Sequence, residues 1–381
     1  MKDAEEIYEF DDGNEEEPAE SEQEEEEEEE QIEQQNDSDM VELVDDSIQG
    51  FFEHKAPVYT VSINPADESM VASGGGDDKV YIWDSKTGAL LHQISDFADS
   101  VSQIIFDDEG KFLAVASMEK TIRVYETASF KLTCRLECES EVNFISWYTG
   151  RKALFAGCQD NTTWLFKVPS GRMVNIFWGH SAPVNCGIST DSRIITGGED
   201  GMVAVWHPNT AENLLSYAST DARFCQGPIV SVDHRQGQIG ICGSEDKTAK
   251  LFHLQSKKIL ASFEDHTDSV EVVAFAHEDI PYAASAGMDG KLCIWDINTT
   301  KLRTVSHHDE GITSMKWHFE SPLITTASID RTVRTWDSRV GGDAIRIYRG
   351  HQDTILDFAM NKAATFFVSG SDDGCSLVFS K

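Results

Sequence analysis

A chain of 381 residues, 40% of them hydrophobic, is long enough to bury a large core, and the absence of any run of eighteen apolar residues excludes a transmembrane helix. The formal net charge of −36, from 67 acidic against 31 basic side chains, excludes a nucleic-acid ligand held by its phosphates and points to a basic protein partner. Eight cysteines without C-x-x-C spacing read as buried, reduced thiols of a cytoplasmic or nuclear protein, not as a disulfide scaffold.

The N-terminus, MKDAEEIYEF, has neither a basic region nor an apolar stretch, so no signal peptide is expected. Residues 1–46 hold 24 of the acids and one of the bases, a net of −23, which leaves −13 for the remainder. Residues 1–40, with the run Glu24–Glu30, repel themselves and lack apolar side chains to bury, so a disordered acidic tail is expected there. A second domain is expected over residues 41–381. Its first segment, Ser47-Ile-Gln-Gly-Phe-Phe-Glu-His54, reads as a strand.

From residue 54 onward one motif returns eight times: an acid, then an aromatic six positions later at the end of an apolar run. The pairs are Asp77/Trp83, Glu119/Tyr125, Asp160/Phe166, Asp200/Trp206, Asp246/Phe252, Asp289/Trp295, Asp330/Trp336 and Asp373/Phe379. Their spacing of 40 to 46 residues is that of a β-propeller blade of the WD40 type. In the first repeat, Val58–Ile63, Met70–Ser73, Lys79–Asp84 and Leu90–Ile94 read as four strands, with turns at 64–67, at Gly74–Gly76 and at 85–88. The repeat cores run over 54–84, 97–126, 138–167, 180–207, 227–253, 266–296, 307–337 and 351–380, the second and third being the weakest. The chain ends at Lys381, right after the third strand of the eighth repeat, so residues 47–53 are expected to supply its fourth strand and close the ring. The fold class is therefore all-β: an eight-bladed propeller closed by an N-terminal strand.

His54, His180, His266, His308 and His351 precede the repeat aromatic by 26 to 29 residues, each with a Ser or Thr ten before it. Ser, His and Asp together resemble a hydrolase triad, but five copies at repeat spacing are structural hydrogen-bond networks. No nucleophile elbow or phosphate loop is present, and His307-His308-Asp309 lacks a third ligand at metal spacing. No catalytic residue, cofactor or metal is expected. Trp147 and Trp317, at the ends of inner strands, read as packing residues, while Trp164 has no functional reading.

The repeat acids are committed to the frame; acids of the adjoining loops are not. The loop after each histidine position and the turn at each repeat acid converge on one rim. On it fall Asp99, Glu139, Glu141, Asp268, Glu271, Asp309, Glu310 and Asp353 from the first loop type, and Glu199, Glu245 and Asp372 from the second. Lys55 is the main base in these loops, and Arg331, Arg334 and Arg346 do not gather in them. The result is a negative funnel suited to a Lys/Arg-rich extended segment. Met118, Met288 and Ile329, next to the same turns, either offer apolar contact to an anchor side chain or line the channel mouth.

The chain resembles the WD40 family of the angio-associated migratory cell protein and its fungal counterparts. The resemblance is carried by the acidic tail, by Gly75-Gly-Asp-Asp-Lys79, and by the third-repeat string LFAGCQDNTTWLFKVPSG over Leu154–Gly171. It implies a non-catalytic chaperone that takes the basic N-terminal segment of a newly made large-subunit ribosomal protein on the acidic upper rim and delivers it to pre-60S ribosomes. A monomer in the cytoplasm, with the nucleus as a second location, is expected. The rival readings are a signalling or ubiquitin-ligase scaffold, which needs an Arg-lined site, and an acidic histone chaperone.

Overall fold

The computed structural model describes residues 44–277, 279–319 and 321–381, so the expected tail at 1–40 lies outside the described residues. Residues 45–381 form one compact unit built entirely of strands, arranged as eight four-stranded antiparallel sheets. In the first blade the strands run Val58–Ile63, Met70–Gly75, Val80–Asp84 and Leu90–Ile94, from the inner edge outward. The inner strands meet in ring order through all eight blades, and Ile355–Met360 of blade 8 packs back against Val58–Ile63 of blade 1. The second and third repeats each form a complete blade.

Burial explains why the repeat reads as it does. The two middle strands of a blade are covered on both faces by neighbouring blades, so they are apolar or small almost throughout, as in Met70–Gly75 and Val80–Asp84. Outer strands such as Leu90–Ile94 are covered on one face and mostly exposed. The core is correspondingly eight clusters, one for each junction between neighbouring blades. Ala72, Val80 and Ile82 of blade 1, for example, pack on Val101, Ile104 and Leu113 of blade 2.

The glycines at 74–76 are not all a turn. Gly74 and Gly75 belong to the second strand, where a Cβ would fall 2.5 Å from Ile104 Cδ1 and 2.0 Å from the Pro57 carbonyl oxygen respectively. Close approach of the next blade and of the preceding loop forbids a side chain there, and the chain reverses only at the following residues, with Asp78 at φ 60°.

Every inner strand carries a register shift near its start, such as that between Val58 and Thr60. These strands are sheet edges, and side chains of the preceding blade satisfy their outward N–H groups. Thr60 Oγ1 accepts from Ile104 N (3.2 Å), Gln103 Oε1 from Ile145 N (2.7 Å), Asp233 Oδ2 from Phe275 N (2.7 Å) and Asp357 Oδ2 from Val61 N (3.1 Å).

Ring closure follows expectation but is shorter. Gln49–Phe51 pairs with the last strand, Ser376–Ser380, opposing Gln49 to Val378 and Phe51 to Ser376. Phe51 then crosses into the junction with blade 1, stacking on Trp83 at 5.1 Å. Trp147 and Trp317 are inter-blade ties, donating Nε1–H to the carbonyls of Ile105 (3.3 Å) and Ala274 (3.2 Å).

Candidate functional site

One hydrogen bond, repeated in all eight blades, fastens the two loop types to each other. The residue before each repeat acid donates its backbone N–H to the loop that leads into the inner strand of the same blade. The bonds run from Gly76 to Pro57, Met118 to Ser100, Gln159 to Glu141, Glu199 to Pro183, Glu245 to Pro228, Met288 to Ser269, Ile329 to Gly311 and Asp372 to Thr354, all at 2.9–3.0 Å. Both loop types therefore share one rim. In blades 3 to 8 the acid then accepts the N–H two residues on, as Asp330 does from Thr332 (2.9 Å), and the residue between them is left-handed in most blades, as Asn161, Lys247 and Arg331 are.

Five blades carry the expected histidine network. In blade 7, Trp336 Nε1–H donates to Thr326 Oγ1 (2.8 Å), and His308 links Thr326 (2.7 Å, through Nε2) to Asp330 (2.8 Å, through Nδ1). The donor chain closes when the imidazole is neutral and carries its proton on Nδ1, with the Thr326 hydroxyl donating to Nε2. Burial lowers the His308 pKa against the pull of Asp330, which favours that neutral form. Burial alone would raise Asp330, but the hydrogen bond and charge of His308, with the bonds from Thr332, hold it below the usual range. His54, His180 and His266 repeat the pattern, and in blade 8 the hydrogen-bond series stops at His351 and Ser369, since the Phe379 side chain carries no donor. These triad-like sets are thus fully engaged in holding the blades.

The other three blades depart in an instructive way. The histidine stands four residues before the first residue of the inner strand, and that station holds Phe97, Cys138 and Cys225 in blades 2, 3 and 5. In blade 2, Arg123 stacks over Phe97 at 4.3 Å and reaches Glu119 (3.3 Å). In blade 3, Trp164 Nε1 donates to Thr162 Oγ1 (2.8 Å), which is bonded to Asp160 (2.5 Å), so Trp164 has a structural part. In blade 5 the serine station holds Cys242, whose Sγ lies 3.8 Å from that of Cys225; burial above all pushes the Cys242 thiol well above its ordinary value. Counting back four residues from each inner strand would have exposed these substitutions in the sequence.

All eleven candidate acids fall on or beside this rim, and ten are exposed: Asp99, Glu139, Glu141, Glu199, Glu245, Asp268, Asp309, Glu310, Asp353 and Asp372. Glu271 differs from expectation, since it lies in the register shift of an inner strand and is half-buried. Asp99, Asp268 and Asp353 accept the N–H of the next residue (2.7–2.9 Å), which fixes their side chains. Glu139, Glu141, Glu199, Glu245, Glu271, Glu310 and Asp372 accept no side-chain hydrogen bond among the described residues. Burial, followed by the charges of Asp353 and Asp373, raises the Asp372 pKa.

The rim holds more cations than Lys55. Arg334 reaches it from a strand, bonding Asp309, Asp330 (2.8 Å) and the His307 carbonyl (3.2 Å). Lys247 donates to the Thr267 carbonyl and Lys291 to that of Asp265, each at 2.8 Å, while Arg331 is exposed in its turn. Arg334 thus reaches the rim from its strand, and it takes Asp309 out of the uncommitted set.

The family described as "WD domain, G-beta repeat" matches residues 46–84, 88–126, 171–207, 257–296, 299–337 and 342–380. The second repeat is therefore matched, and the two blades left out, the third and fifth, are those in which a cysteine takes the histidine's place. The human angio-associated migratory cell protein is 31% identical over 353 residues, spanning 88% of this chain and 80% of that protein. The ribosome assembly protein SQT1 of Saccharomyces cerevisiae is 20% identical, over 89% of this chain and 88% of that protein. The crystal structure of Chaetomium thermophilum Sqt1, bound to the N-terminus of the ribosomal protein L10, shares the fold with a TM-score of 0.82; it is 23% identical and covers 89% of this chain and 100% of that one.

Proposed function

Because the chain belongs to the WD40-repeat family, and within it to the group of the angio-associated migratory cell protein, we propose that its acidic rim is a chaperone site for a basic ribosomal protein. The site takes the N-terminal segment of a newly made large-subunit protein of the L10 type, without catalysis, and holds it until transfer to the pre-60S particle. The observation that carries this reading is the set of seven side-chain-uncommitted acids on one rim. It is supported by the Sqt1 neighbour, which has the same fold and is bound to the L10 N-terminus. Exposed carboxylates set in fixed loops attract a Lys/Arg-rich segment over long range and then bond its guanidinium groups in pairs.

A scaffold that reads phosphopeptides needs a cluster of unpaired arginines, and Arg331, exposed in its turn, is not joined by Arg334, which Asp309 and Asp330 already hold. Capture of partners from a lysate at graded salt separates the readings. One dominant large-subunit ribosomal protein retained at moderate salt is the expected outcome. A set of histones, or a ubiquitin-ligase complex, would overturn it.

A further inference from the structure

At the station just before the repeat acid, whose N–H is tied to the adjoining loop, blades 5 to 8 present Glu245, Met288, Ile329 and Asp372 in order round the ring. Two apolar side chains thus stand together with an acid on each side. They also form one surface. A Cβ placed on Gly311, in the loop entering blade 7, would be 2.8 Å from Met288 Sδ and 3.1 Å from Ile329 Cδ1, so both side chains lie over that bare backbone. Met288 remains 42% exposed. Acids stand in the adjoining loops and strand, since Glu310 precedes Gly311 and Asp268 and Glu271 belong to the blade of Met288, while Arg331 is exposed two residues after Ile329.

We propose that this sector recognises a basic–apolar–basic pattern: an apolar or aromatic side chain seats on Met288 and Ile329 over Gly311, while Lys or Arg on either side meets Glu245 or Glu271 and Asp372. The inference rests on the reading of the rim as a site for a basic segment, and it adds what charge alone lacks. Carboxylates attract any cationic chain and lose their hold as salt rises, whereas an apolar seat favours one register and is not screened. An exposed methionine suits the role, because its flexible, polarisable side chain adapts to the shape of its guest.

The test is fluorescence anisotropy of a labelled synthetic peptide, the N-terminal segment of ribosomal protein L10 from the same organism, titrated with the full chain at low and at moderate salt. Met288→Gln with Ile329→Thr should weaken binding about tenfold at both salt concentrations. Glu245→Gln with Asp372→Asn should weaken it strongly at low salt and progressively less as salt rises. If the Met288/Ile329 variant binds like the wild type, or if its loss fades with salt, the apolar seat is wrong while the acidic rim stands. If the wild type does not bind the peptide at all, both fall. Should the double variant melt early, Met288→Gln alone, at an exposed side chain, decides the question.

Discussion

Asp330 shows how a rim acid is spent on the frame. It accepts from His308 and Arg334 (2.8 Å each), from Thr332 Oγ1 (2.6 Å) and from the backbone of Asp309 (3.1 Å), so its carboxylate joins a loop, a turn and a strand. The pH dependence has a definite sign. The folded pKa of His308 lies below its ordinary 6.5, so the unfolded chain takes up that proton first and stability falls as pH drops below about 6.5. The folded pKa of Asp330 lies below its ordinary 3.8, so its contribution is complete above that value and is lost as pH falls further. Asp330→Asn should therefore lower stability at pH 7 by about 2–4 kcal/mol and flatten the acid limb. Thermal melts across the acid range check it, and parallel curves for variant and wild type would refute it. The networks of five blades were legible in the sequence because His, Ser or Thr, Asp and the closing aromatic, Trp in four blades and Phe379 in the eighth, recur in one order. Phe97, Cys138 and Cys225 fall outside that pattern and are marked only by their place four residues before an inner strand, because each of those blades solves the same packing problem with different chemistry.

At the scale of the element, the closing strand matters beyond its three residues. Phe51 is the side chain through which Gln49–Phe51 enters the junction of blades 8 and 1, against Trp83 and Tyr81. Phe51→Ala should cost about 3–5 kcal/mol in denaturant unfolding; an unchanged midpoint would mean that the strand does not hold the ring. The inner strands make a contrasting prediction. Burial raises the Asp357 pKa, against the pull of Lys316, so its ionised form burdens the fold more as pH rises. Asp357→Asn keeps an oxygen for Val61 N–H without the charge, and should hold or raise the melting temperature at pH 8; a marked loss would contradict this assignment. Strand limits such as Val58–Ile63 and Leu90–Ile94 could be read to the residue, since turn residues bracket them. Gly74 and Gly75 could not, because the Pro57 carbonyl and Ile104 that forbid their side chains come from other segments. The same limit hid Arg334, which sits on a strand and bonds the rim, and Glu271, which belongs to a strand and not to a loop.

At the scale of the whole molecule, eight repeats turn a local motif into a ring of loops, and under the proposed function the charge of that ring is what a partner reads. Acids of the frame are tied down by histidine, by arginine or, as Asp160 and Asp246 are, by threonine and backbone N–H groups, while seven others accept no side-chain hydrogen bond among the described residues. Affinity should therefore be electrostatic in onset and fall with salt. The most direct measurement is the affinity of the full chain for the N-terminal segment of ribosomal protein L10, compared between wild type, Glu271→Lys and Asp372→Lys. Saturable binding by the wild type, its loss in both variants, and melting temperatures within a few degrees of one another are the predicted result. Undiminished binding by the charge-reversed chains, or unfolding in place of lost binding, would contradict the account.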